Sequence, residues 1–132
     1  MKGVFPTHSV QELGFYYDHY YPEAFFEPKV WKIPRPRPDR GALSAAVKLL
    51  MTAKRPLIIS GGGVRYSLAE EQLAEFAAKR GIPVVETIAG KGALTHDHPV
   101  HAGPIGIVGS TSANALAKDA DVILAIGTRL QD

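Results

Sequence analysis

The stretch that most constrains the fold is a short apolar run followed by three glycines, at residues 57–63. The run Leu-Ile-Ile at residues 57–59 is typical of a strand that is buried on both faces of a parallel sheet. Gly61, Gly62 and Gly63 have no Cβ, so their backbone N–H groups can approach a ligand closely. A helix that starts beside such a turn favours an anion, usually a phosphate. The sequence therefore predicts a strand–turn–helix unit of a nucleotide-binding type.

Helices and strands alternate along the rest of this region. The first predicted helix is capped by Asp39, and strand one follows at 57–60. A second helix at about 68–80 begins with the capping box Ser67–Glu70 and ends at Gly81, and strand two follows at 82–86. After an irregular glycine-rich stretch at 87–109, Ser110, Thr111 or Ser112 opens a third helix, and strand three follows at 121–126. The first helix has an apolar stripe formed by Leu43, Ala46, Val47 and Leu50. The second helix is expected to turn three side chains inward, those of Leu73, Phe76 and Ala77. This alternation predicts an α/β fold of three layers, a parallel sheet of three strands with flanking helices, which is half of a Rossmann-like domain.

The order of the three strands bears on assembly. We expect the order 3-2-1, which leaves strand one with an unpaired edge. Open edges promote pairing with other chains. The expected state is therefore a homo-oligomer, a dimer or larger.

The first 38 residues differ in composition from the rest. Residues 1–30 are rich in Phe and Tyr without a sustained period, which is typical of a connector that packs on another domain. Residues 33–39, Ile-Pro-Arg-Pro-Arg-Pro-Asp, place proline at every second position and predict a stiff, extended linker. The alternative is a docking motif for an aromatic groove. An extended arm is thus expected before the α/β fold.

Composition excludes several classes of protein. The 132 residues fit one domain with an attached arm, and the formal net charge of +2 comes from scattered basic residues, so no nucleic acid and no membrane is predicted as a partner. The chain has no cysteine, which excludes disulfides and thiolate metal sites and fits the cytoplasm. No apolar run approaches the roughly 18 residues of a spanning helix, and no signal peptide is evident. A cytoplasmic location is therefore expected.

Three loops leave the carboxyl ends of the predicted strands, at residues 61–65, 86–92 and 127–130. Each contains glycine, and parallel α/β sheets bind ligands at such ends, so a diphosphate or nucleotide cleft is predicted. The dinucleotide fingerprint fails because Tyr66 stands where its third glycine is required. Glu86 stands where an acid could hold a ribose hydroxyl, and this lone acid is weak support for NAD-dependent hydride chemistry. A Walker loop fails as well, because the chain has no glycine at position 85 and no Ser or Thr at position 92.

Histidines at positions 96, 98 and 101 form a His-x-His-Pro-x-His pattern. A metal site is one interpretation, but zinc sites usually need three or four ligands that further partners hold in place. His-x-His before proline is more often a solvated turn, so no metal ligand is predicted. Neither a Ser-His-Asp arrangement nor a pair of carboxylates in an apolar pocket is evident. The sequence therefore predicts no catalytic residue.

A series of motifs fits one known pattern: Tyr21-Pro-Glu-Ala-Phe-Phe-Glu27, Arg55-Pro-Leu-Ile-Ile-Ser-Gly-Gly-Gly-Val-Arg-Tyr-Ser67, Gly81-Ile-Pro-Val-Val-Glu-Thr-Ile-Ala-Gly-Lys-Gly-Ala93, His98-Pro99, Gly103-Pro-Ile-Gly-Ile-Val-Gly109, Ala113-Asn114 and Ala120-Asp-Val-Ile-Leu-Ala-Ile-Gly-Thr-Arg-Leu-Gln-Asp132. On these motifs, the chain from about residue 20 to 132 resembles the central domain of thiamine-diphosphate enzymes of the acetolactate synthase type. Within that family it is most similar to the trihydroxycyclohexane-dione hydrolases of inositol catabolism.

The resemblance implies a larger enzyme of three domains. Its first domain carries a catalytic glutamate, and its last binds diphosphate and magnesium through a Gly-Asp-Gly motif, and neither feature is present here. Residues 1–38 would be the tail of the first domain with its linker, and residues 39–132 a truncated central domain. We therefore expect a structural, catalytically silent chain whose partners are the remaining domains. Thiamine diphosphate and magnesium would support hydrolytic C–C cleavage of the ring in the intact enzyme.

Some relatives of this type hold FAD or ADP in the central domain. By that resemblance the candidate cofactor contacts are Gly61, Gly62, Gly63, Thr87, Gly127 and Arg129, although the hydrolases are not expected to need a flavin. Other interpretations stay open: a nucleotide-binding module, the central domain of an acetolactate synthase-like enzyme, and a small free-standing dehydrogenase, against which Tyr66 argues.

Overall fold

The computed structural model describes residues 37–130. The aromatic-rich stretch 1–30, most of the proline-rich linker and residues 131 and 132 lie outside the described residues. The predicted arm and the predicted division at residues 38 and 39 therefore stay predictions. All described residues belong to the second of two units into which the chain divides, Pro34–Asp132. None of the described helices is both long and apolar enough to cross a membrane.

Helices and strands alternate along the described chain as expected. The elements are α1 (Arg40–Thr52), β1 (Pro56–Ser60), α2 (Gly62–Tyr66), α3 (Glu70–Arg80), β2 (Val84–Glu86), a 3₁₀ helix (Ile88–Gly90), β3 (His101–Pro104), α4 (Thr111–Asp119) and β4 (Val122–Ile126).

The predicted ends of three helices are confirmed. Asp39 accepts a hydrogen bond from the backbone N–H of Ala42 at 2.8 Å and so caps α1. Ser110 caps α4 in the same way, through the N–H of Ala113 at 3.1 Å. Gly81 ends α3 at a φ of 64°, in the left-handed region that glycine enters without steric cost.

The predicted capping box is wrong. Ser67 lies at the end of α2, and α3 begins after Ala69 without a side-chain cap. The glycine turn folds at once into the one-turn helix α2, so the chain must change direction before α3. Leu68 makes that change at a φ of 53°, in the left-handed region. Two helices therefore stand where one was expected.

Four parallel strands form the sheet, in the order β3-β2-β1-β4. The α/β fold class is confirmed, but the expected order, with strand one at an edge, is wrong. Ile59 of β1 pairs with Val85 of β2 on one side and with Ala125 of β4 on the other. β1 is therefore an inner strand, and its carboxyl end lies between the ends of β2 and β4.

β3 lies in the stretch that was expected to be irregular. Its sequence, His-Ala-Gly-Pro, has none of the apolar alternation that predicts a strand. Pairing with β2 holds it in place, with His101 opposite Val84 and Pro104 opposite Glu86 across a register shift. Within the described sheet β3 is an edge strand, where a proline costs no ladder hydrogen bond.

Apolar side chains cover both faces of the sheet, because successive residues of a strand point to opposite faces. One cluster contains Ile58, Val64, Leu73, Ala77, Ile82, Val84, Ala93 and Leu94, and the other contains Leu57, Ile59, Val85 and Ala113. Burial of β1 on both faces is what its apolar run predicted.

The helices at the periphery are less buried than their patterns suggested. No residue of α1 is buried, and Val47 of its apolar stripe is 47% exposed. Phe76 of α3, which was expected inside, is 38% exposed. With Val47 and Leu50 it lines an apolar cavity of about 260 Å³ between α1 and α3. The inward prediction for Phe76 is therefore wrong, whereas Leu73 and Ala77 are buried.

Candidate functional site

The loops that follow β1 and β4 are joined through backbone hydrogen bonds. Gly61 donates its N–H to the carbonyl oxygen of Ile126 at 2.8 Å, and Gly63 donates to that of Gly127 at 2.9 Å. Gly127 adopts a φ of 60°, which favours glycine. Two N–H groups of the glycine turn are thus used within the fold.

Close backbone approach explains why glycines stand in these loops. A Cβ on Gly63 would lie 2.6 Å from the Cα of Gly127, and one on Gly61 would lie 2.7 Å from the Cα of Thr128. At Gly62 the nearest atom is the carbonyl oxygen of Ala89, at 3.0 Å from an added Cβ. The triple glycine therefore packs against the loops after β4 and β2.

Thr87 connects the end of β2 to the end of β1. Its N–H donates to the carbonyl oxygen of Ser60 at 3.0 Å, and its hydroxyl accepts from the N–H of Gly90 at 3.2 Å. Gly90 itself lies against β1, since a Cβ there would be 2.8 Å from the carbonyl carbon of Ser60. The hydroxyl of Thr87 thus caps the 3₁₀ helix.

The structure brings most of the predicted contact residues to one edge of the sheet. Gly61, Gly62 and Thr87 are buried at the carboxyl ends of β1 and β2, and the half-buried Gly63 lies against Gly127. Arg129 is exposed on the loop after β4. Their role as cofactor contacts stays a prediction.

Glu86 is the residue whose role the sequence did not reveal. It is only 3% exposed at the end of β2. One carboxylate oxygen accepts from the N–H of Leu94 at 3.0 Å, and the other accepts from Gly92 at 3.2 Å and lies 3.3 Å from Nε2 of His101. The carboxylate is therefore bonded inside its own loop rather than presented to a ribose. No side-chain pattern could signal this, because two of the three partners are backbone amides.

Ser60, the last residue of β1, is fully buried at the same edge. Its hydroxyl is the one buried side-chain polar atom among the described residues that has no hydrogen-bond partner. It lies beside Glu86 in the register of the parallel pair, so both side chains point to the same face.

The histidine pattern does not form a metal cluster in the described part of the chain. His101 contacts Glu86, and its ring centroid lies 6.3 Å from that of His96 at an interplanar angle of 41°. Residues 37–130 contain no group of three or more His, Cys, Asp or Glu side chains that could hold a metal ion. Nearby, a hydrogen bond from Thr95 lowers the pKa of the exposed Asp97 carboxyl.

A cleft of about 460 Å³ opens beside the glycine turn. It is lined by Gly62, Arg65, Tyr66, Leu68, Glu70 and Ala89. The guanidinium of Arg65 donates to the carbonyl oxygen of Lys91 at 3.3 Å, so this cation lies at the junction of α2 and the loop after β2.

Residues 43–132 match the family model of the central domain of thiamine pyrophosphate enzymes. The chain belongs to this family. Similar proteins include the 3D-(3,5/4)-trihydroxycyclohexane-1,2-dione hydrolases of Clostridium perfringens and Geobacillus thermodenitrificans, each 46% identical over 112 residues, or 85% of this chain. The hydrolase of Clostridium tetani is 47% identical over the same length. The chain spans only 17–18% of the length of these relatives.

Proposed function

We propose that this central domain serves a thiamine-diphosphate-dependent hydrolase that opens a cyclic 1,2-dione, and that it contributes scaffold rather than reacting groups. The observation that carries the proposal is the 46% identity to a 3D-(3,5/4)-trihydroxycyclohexane-1,2-dione hydrolase across 85% of the chain. The family match over residues 43–132 includes the glycine turn and the loop after β2.

The glycine turn does not fit the diphosphate of thiamine diphosphate. A diphosphate cradle needs backbone N–H groups that are free to face it. Gly61 and Gly63 instead donate to Ile126 and Gly127, and backbone fills the space beside them. This geometry supports a role for other domains in holding the cofactor and its magnesium. A homo-oligomeric state and a cytoplasmic location are further parts of the proposal.

A graft tests the proposal. The matching segment of the Clostridium perfringens relative is replaced by residues 43–130 of this chain, and thiamine-diphosphate-dependent hydrolysis is measured. We expect activity to be retained, because the scaffold fits a hydrolase of this kind. The control graft takes its segment from an acetolactate synthase-type enzyme. A folded chimera without activity would contradict the assignment.

A separate experiment tests the proposal that this domain contributes no reacting groups. The 132-residue chain is mixed with thiamine diphosphate, magnesium and the cyclic dione, and no turnover is expected. Turnover by this chain alone would show that it supplies reacting groups after all.

The cleft beside Gly62 favours a second candidate, a module that binds ADP or FAD. Arg65 is a cation suited to a phosphate, and Tyr66 gives the cleft an aromatic ring. Calorimetry with ADP and with FAD tests this function. Binding that Arg65→Ala abolishes and Arg80→Ala leaves unchanged would support it. No heat at millimolar ligand would remove it.

A further inference from the structure

The loop between β2 and β3, residues 87–100, is tied to a single carboxylate. Glu86 immediately precedes this loop, accepts from Gly92 and Leu94 within it, and contacts His101 immediately after it. The start, the middle and the end of the loop thus meet at one side chain, which is 3% exposed. Apart from one 3₁₀ turn, the loop has no helix or strand of its own.

The same loop covers the carboxyl end of β1. Thr87 donates to the carbonyl oxygen of Ser60, and the backbone of Gly90 lies against that carbonyl. Ala93 and Leu94 belong to the apolar cluster on the face that Ser60 shares with Ile58. The Ser60 hydroxyl is therefore sealed without a partner at the edge where parallel sheets bind ligands.

We propose that residues 87–100 form a strap that opens as a unit over the end of β1, with the Glu86 carboxylate as its latch. The Glu86 carboxylate accepts from two backbone amides of the strap and contacts the histidine that follows it, so one side chain makes three of the contacts that hold the strap closed. Loss of that residue releases the strap, while the ladders between β1, β2 and β4 stay intact, since none of their hydrogen bonds involves the Glu86 side chain. The strap thereby controls access to the buried hydroxyl of Ser60.

The absence of cysteine from the chain permits a clean reporter. Ser60→Cys places one thiol beneath the strap and loses no hydrogen bond, because the native hydroxyl makes none. Ala113→Cys places one thiol on the opposite face of the sheet, where Ala113 is fully buried against Leu57, Ile59 and Val85. The labelling rate with a maleimide then reports opening at each position in the full chain.

Glu86→Gln is introduced into both reporters. We expect it to raise the labelling rate of the Ser60→Cys thiol by about tenfold or more, because hydrogen bonds to a charged group are lost. The labelling rate of the Ala113→Cys thiol should stay unchanged. Equal acceleration of both thiols would mean that Glu86 supports global stability, and no acceleration of either would mean that it is no latch. Both results overturn the proposal.

A milder variant covers the case in which Glu86→Gln does not fold. His101→Ala removes the contact at the far end of the strap and leaves both backbone amides on the carboxylate. The same selective acceleration is expected, and hydrogen exchange of the Gly92 and Leu94 amides should rise while that of Ile58 does not. A uniform change in exchange would again contradict the strap.

Discussion

The backbone N–H of Gly63 donates to the carbonyl oxygen of Gly127 at 2.9 Å, and a Cβ on Gly63 would lie 2.6 Å from the Cα of Gly127. The two residues join the loop after β1 to the loop after β4. Since β1 and β4 are adjacent parallel strands, their exits are forced together, and only glycine leaves room for both backbones. Packing alone therefore accounts for a glycine that also resembles part of a phosphate loop.

Gly63→Ala should lower the free energy of unfolding by about 1–3 kcal/mol, because the added methyl meets backbone rather than a flexible side chain. Urea denaturation measures the change. Gly81→Ala is the matched control, since a Cβ at Gly81 meets nothing within 4 Å and only the φ of 64° is strained. That strain costs about 1–2 kcal/mol. The circular dichroism spectrum and the hydrogen exchange of the loop after β4 should change only for Gly63→Ala. A change confined to the Gly81 variant would contradict the close approach of Gly63 and Gly127.

The two buried hydroxyls at the carboxyl edge should respond in opposite ways to removal. Ser60→Ala is expected to leave stability unchanged or to raise it by about 1 kcal/mol, because a buried hydroxyl without a partner carries a desolvation cost. Thr87→Val should lower stability by about 1 kcal/mol, because the hydroxyl that accepts from Gly90 is lost. Chemical denaturation of both variants decides the matter. Destabilisation by Ser60→Ala would indicate a partner for its hydroxyl.

The sequence predicted those parts of the fold that depend on local pattern. The apolar runs of β1, β2 and β4 and the caps at Asp39 and Ser110 are read from neighbouring residues alone. β3 was missed because His-Ala-Gly-Pro is a strand only through its pairing with β2. The strand order was wrong because the choice of neighbour for β1 depends on how the crossovers pack, which no local pattern records.

In the candidate site too, the sequence predicted some residues and missed contacts that depend on the folded structure. The family resemblance implied the glycines and Thr87 as candidate contacts, and the parallel sheet brings these residues to one edge, where ligands of such sheets bind. The network of Glu86 was missed because its acceptor bonds go to amides six and eight residues later in an irregular loop. A buried carboxylate needs hydrogen-bond donors because its burial is otherwise costly, but this rule does not identify which donors it finds.

Self-association is expected to involve β4. Within the described sheet β4 pairs with β1 alone, so its outer edge has no neighbouring strand, and Ile123 is 45% exposed. An apolar edge without charge or proline favours pairing with another chain. Light scattering should detect a dimer or larger species that Ile123→Lys weakens, whereas Ala78→Lys, at an exposed position of α3, leaves it unchanged. A monomer at high concentration would contradict this expectation.

Acid should lower the stability of the fold by protonating Asp121, whose carboxylate connects the start of β4 to the start of β1. Its carboxylate accepts from the backbone N–H groups of Lys54 and Arg55 at 2.7 and 2.8 Å, and these bonds lower its pKa. A carboxyl whose pKa is lower in the folded state than in the unfolded state stabilises the fold above the unfolded pKa, about 4, and this contribution is lost as pH falls through the folded pKa.

Asp121→Asn should therefore reduce the slope of unfolding free energy against pH below about pH 4, where the native carboxylate takes up its proton. The slope should shrink without vanishing, because the pKa of Asp97 is lowered as well. Asp119→Asn, two residues earlier on α4, is the control, since the bond from Arg55 reaches its backbone oxygen rather than its carboxylate. Denaturation at a series of pH values checks both variants. Equal slopes in the wild type and Asp121→Asn would show that these two amides do not stabilise the charged form.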